Sequence, residues 1–136
     1  MKKYFLFLVV LFLLIPISTF AKSKTLKIYL DVQGSNAYTD TFASGLRADL
    51  KKFSDGDIKF VKDSTDAIFV ITVEIMPLSA GSRSTGFVVA WAVSAPKLKP
   101  SLQMLSGPDD LEDITKRTAA NINESLLEPL RERLNN

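Results

Sequence analysis

Two apolar stretches constrain this chain more than anything else in it. Residues 67–76 read AIFVITVEIM and residues 86–94 read GFVVAWAVS. Both are rich in β-branched side chains, and both alternate with the period of a strand. In the first, Phe69, Ile71, Val73 and Ile75 share one face. Ile68 and Val70 begin the other face, which turns polar at Thr72 and Glu74. In the second, Phe87, Val89, Trp91 and Val93 make a large face, and Val88, Ala90 and Ala92 a smaller one. Strands of this kind belong in a sheet whose larger face is packed under a second layer.

The rest of the chain supplies that layer. Residues 25–33 read TLKIYLDVQ, with Leu26, Ile28, Leu30 and Val32 alternating against Lys27, Tyr29, Asp31 and Gln33. This predicts a strand with one buried and one polar face. Phe42, Leu46, Leu50 and Phe53 follow at helical spacing, with Lys51 and Lys52 placed late, where a helix dipole favours cations. Gly45 interrupts this helix, either for close approach to the sheet or for no structural purpose. Ser54-Asp55-Gly56-Asp57 reads as a turn, and Ile58 to Lys62 as a short strand closing a βαβ unit. Met76 to Thr85 reads as a flexible loop, and 102–105 at most as a short strand between Pro100 and the next helix. A helix is expected over Asp109 to Leu134, opened by Asp109 and Glu112 in a capping box. Its stripe is Leu111, Ile114, Ile122, Leu126, Leu130 and Leu134, and Pro129 should kink or divide the helix near Glu128. The expected architecture is α+β: a two-layer sandwich with a mixed four-stranded sheet, order β-α-β-β-β-α, and both helices on one face.

Ahead of this lies Met1-Lys2-Lys3, the apolar run YFLFLVVLFLLI, Pro16 and a small-residue end at Thr19 and Ala21. A basic start, a short apolar core and small residues before a cut form a secretory signal. Cleavage is expected between Ala21 and Lys22, leaving one domain over 22–136 in the periplasm or outside the cell. Retention of the segment as an anchor is the alternative. The chain carries 17 Lys and Arg against 15 Asp and Glu. Two of those cations are Lys2 and Lys3, so the remainder is neutral and has no nucleic-acid footprint.

The 136 residues include neither Cys nor His. A thiolate nucleophile, an imidazole base, a Ser-His-Asp triad and Cys- or His-ligated metals are thereby removed. No catalytic residue, metal site or cofactor is expected. Asp55 and Asp57 lack the further oxygen ligands of a calcium loop. The run Asp109-Asp110-Leu111-Glu112-Asp113 suits a helix start by its charge. Asn123-Glu124-Ser125 matches a glycosylation sequon, but it falls inside a helix and behind a bacterial-looking signal.

Two places remain for binding. Ser82, Arg83 and Ser84 sit in a Ser- and Gly-containing segment that is either a candidate anion cradle or a plain hairpin loop. Ile68, Val70, Val88, Ala90 and Ala92 form an apolar set on the smaller strand faces. That set is either an exposed partner patch or a surface covered by the C-terminal segment or a loop. A sheet edge offers strand addition as a further mode.

The stretches TLKIYLDV, DAIFVITVEI and GFVVAWAVS, with the Phe42-Leu46-Leu50 stripe, resemble small periplasmic α/β domains. These include the lipopolysaccharide-assembly lipoprotein family, the TolB N-terminal domain and the curli-secretion lipoprotein. The resemblance implies an accessory role in the bacterial envelope with a protein or lipid partner, and it transfers no site residue. Those lipoproteins carry a Cys for lipid attachment, whereas this chain has Ala21-Lys22 there. That departure implies a released protein, not one tethered by a lipid. Two other readings stand beside it: a small carboxylate-based hydrolase, and a self-associating structural domain.

Overall fold

A computed structural model describes residues 25–95 and 101–135. The expected cleavage site at Ala21 and Lys22 lies outside them, as do Pro96 and Pro100. The strands are β1 (Leu26–Gly34), β2 (Ile58–Phe60), β3 (Phe69–Ala80), β4 (Arg83–Ser94) and β5 (Ser101–Gly107). They form one sheet in the order β2-β1-β3-β4-β5. β1 runs parallel to both β2 and β3, while β3–β4 and β4–β5 are antiparallel. Helix α1 (Asn36–Lys52) joins β1 to β2, and a 3-10 turn spans Ser64–Asp66. The C-terminal helical stretch is α2 (Leu111–Ile122), a π-helical turn (Asn123–Leu127) and α3 (Glu128–Asn135).

The sheet has five strands, which corrects the four-stranded expectation. β5 escapes a propensity reading because SLQMLSG contains no β-branched or aromatic residue. Its conformation is imposed by β4, which it pairs without interruption from Phe87–Gly107 to Val93–Ser101. The segment read as a flexible loop is also strand: β3 and β4 continue to Ala80 and Arg83 around a two-residue turn at Gly81-Ser82. Pro77 fits there because β1 has already ended, at the Gly34–Ile75 pair. Beyond that pair β3 has an open side on which a missing N–H costs nothing.

Alternation decides which side is buried. Leu26, Ile28 and Leu30, then Phe69, Ile71, Val73 and Ile75, then Phe87, Val89, Trp91 and Val93 are all buried. They meet Phe42, Leu46 and Leu50 of α1, Ile114, Ala119 and Ile122 of α2, and Leu126 and Leu127 of the π turn in one core. Both helical stretches therefore cover the same sheet face. The Trp91 indole N–H donates to Asn121 Oδ1 at 2.9 Å, so its burial leaves no orphaned donor. Gly45 faces the other helix instead of the sheet: a Cβ there would meet the Thr115 methyl at 3.1 Å.

Helix α2 is capped by Asp110, one residue later than expected; its Oδ1 accepts from Asp113 N–H at 2.9 Å. Asp109 pairs with Arg117 instead. Pro129 does not break the C-terminal helix. The stretch widens to a π turn immediately before it, the form a helix takes when its hydrogen-bond ladder is locally interrupted. This turn brings Asn123 Nδ2 to 2.7 Å from Glu128 Oε1. Arg131 Nη1 donates to Asn123 Oδ1 at 3.0 Å, while its Nε donates to Asp57 Oδ2 at 2.7 Å. Asn123, the sequon residue, is thus buried and engaged.

Candidate functional site

The sheet face away from the helices is built by the even-numbered residues of β3, β4 and β5 and the odd-numbered residues of β1. Register orders it into rows. Asp31, Thr72, Ala92 and Leu102 lie side by side across four strands, as do Gln33, Glu74, Ala90 and Met104. A third row takes Met76, Val88 and Ser106. Polarity therefore changes across the face. The β1 side is charged and hydrogen-bonding, with Gln33 Nε2 donating to Asp31 Oδ2 at 2.8 Å. The β4–β5 side is apolar.

No described element lies over that apolar half. Leu102 is 72% exposed, Met104 68% and Met76 44%, while Val88, Ala90 and Ala92 are half-buried between them. Of the five residues singled out in the sequence, the structure brings Val88, Ala90 and Ala92 together on β4. Val70 lies on the same face, opposite Ser94 at the far end of the β3–β4 ladder. Ile68 precedes β3 and sits at the margin; it is 48% exposed, and its N–H bonds the Lys27 carbonyl at 2.8 Å. Leu102, Met104 and Met76 were missed. Met76 stood at the end of the predicted strand, where the apparent loop begins, and β5 shows its alternation only as Leu102 and Met104 against Gln103.

The Ser82-Arg83-Ser84 segment has a different geometry from a cradle. Ser82 lies in the hairpin turn, and Arg83 and Ser84 open β4 opposite Ala80 and Ser79. Neighbouring strand residues point to opposite sides, so Arg83 and Ser84 diverge. The three residues are exposed.

One concave feature lies at the end of the sheet: a wide-mouthed pocket of about 370 Å³ lined by Tyr38, Ser84, Phe87, Pro108, Asp109 and Asp110 among others. The Tyr38 and Phe87 rings meet edge to face at 5.3 Å. Both of its carboxylates hold the start of α2, one through Arg117 and one as the cap. Elsewhere, the Asp63 carboxyl is held below its usual range by the Thr65 backbone N–H and then by the Thr65 hydroxyl, as the cap of the 3-10 turn. Among the described residues no group of three or more Asp or Glu is placed to hold a metal ion, and no helix is long and apolar enough to cross a membrane.

No protein family matches the sequence, and no curated protein matches it either. Among solved structures, two are similar to the chain over much of its length. PelC from Paraburkholderia phytofirmans, a dodecamer, is similar over 74% of this chain and 87% of its own, at 8% identity and a TM-score of 0.49. Rare lipoprotein B from Shewanella oneidensis is similar over 81% of this chain and 99% of its own, at 14% identity and a TM-score of 0.48.

Proposed function

We propose that this chain is an exported, non-enzymatic accessory protein of the bacterial envelope that holds a partner on the open face of its sheet. The observation that carries the reading is the apolar half-face of Val88, Ala90, Ala92, Leu102, Met104 and Met76, covered by no described element and bordered by Asp31, Gln33 and Glu74. An apolar centre with a polar border is the anatomy of a protein interface. No described element walls this face into a cavity, which favours a protein over a lipid, because acyl chains and small ligands are held in concave sites. The N-terminal pattern of Lys2, Lys3 and the apolar run supports export.

Co-purification from envelope fractions tests the reading. The wild-type chain is expected to retain one specific protein, and Ala90→Glu to lose it while unfolding at an unchanged temperature. Recovery of no specific partner, or equal recovery with Ala90→Glu, would overturn the assignment of this face.

A further inference from the structure

The two edges of the sheet are built differently. At one edge, β2 is three residues long and carries Lys59, with Asp57 and Lys62 beside it. Short, charged edges resist pairing with other chains. At the other edge β5 is seven residues long and contains no charge and no proline. Its register with β4 runs through seven consecutive pairs without a bulge. Among the described residues no strand lies beyond it. Within the strands themselves β2 is short and charged, whereas β5 is long and uncharged, with Pro100 and Pro108 bounding it in the sequence.

We propose that β5 pairs antiparallel with β5 of a second copy of this chain, joining two five-stranded sheets into one. The occupant follows from the chemistry of the strand. Two-fold pairing sets a strand against itself, so any charged residue near its centre would face its own sign. SLQMLSG has no charge to oppose. Pairing centred on Gln103 places Leu102 of each copy opposite Met104 of the other, on the open face. These are the two most exposed large apolar side chains among the described residues, at 72% and 68%. Met104 is unbranched and adapts its shape to such a contact. The join also makes the two apolar half-faces continuous and leaves the polar β1 sides outermost. It shares Leu102 and Met104 with the proposed binding face, and sedimentation of the isolated chain tests it apart from partner binding.

Sedimentation equilibrium of the full chain, purified from an expressing bacterium, tests the pairing across a hundredfold range of concentration. A dimer that dissociates on dilution is expected. Leu102→Lys with Met104→Lys would set cations against each other across the two-fold axis. That double variant is expected to sediment as a monomer throughout, with the circular dichroism of the parent and the unfolding temperature that the parent shows when diluted to monomer. Met104→Leu is expected to keep the dimer. A parent that is monomeric at every concentration overturns the proposal, and so does an oligomer that survives the double lysine variant.

Discussion

Gly86 lies where β4 passes the end of β5. Its φ is +146°, and a Cβ there would sit 2.1 Å from the Gly107 carbonyl oxygen. Both the backbone angle and the space require glycine. Gly86→Ala is therefore expected to cost more than about 1 kcal/mol of stability in urea unfolding, because strain and collision add. An unchanged midpoint would contradict this account of the strand crossing. At the same scale some features were legible in the sequence and others were not. Phe42, Leu46 and Leu50 were placed correctly by spacing alone, and all three are fully buried. Phe53 continued the stripe on paper but is exposed, because α1 ends at Lys52 and Phe53 is its C-cap. Asp109 and Asp110 carry the same cap chemistry, so only the path of the chain into α2 decides between them.

Among the elements, the C-terminal helix depends most on one side chain. Arg131 reaches from α3 to Asp57, just before β2, while also bonding Asn123 in the π turn. Both partners of the ion pair are largely shielded, at 22% and 14% side-chain exposure, so solvent weakens it less than the surface pairs. Arg131→Ala is expected to lower stability by about 1–2 kcal/mol and to raise amide exchange over 128–135 before the sheet responds. Uniform exchange in all elements would show that this contact does not hold the helix separately. Strands whose burial is written in their own alternation, β1, β3 and β4, were legible in the sequence. β5 was legible at most as a short strand over 102–105, since its pairing partner more than its composition makes it a strand. The outer hairpin was masked by Pro77, Gly81 and the serines, which are turn formers by themselves and strand residues only where the ladder extends past β1.

For the molecule as a whole, the governing fact is a sheet with helices on one side and an uneven face on the other. The even-numbered side of β4 was legible in the sequence as a second apolar surface, exposed or covered, because small residues stand opposite a face of Phe, Val and Trp. The extent of the patch required the five-stranded register, which adds Leu102 and Met104 beside Ala92 and Ala90. The most direct measurement is photo-crosslinking inside cells that produce the full chain, with a photoreactive residue at Ala92 on the apolar half or at Asp31 on the polar half. Position 92 is predicted to give one predominant adduct with a different protein and position 31 to give none. Adducts in equal yield from both positions, or from neither, would contradict the claim that the apolar half-face is the binding surface.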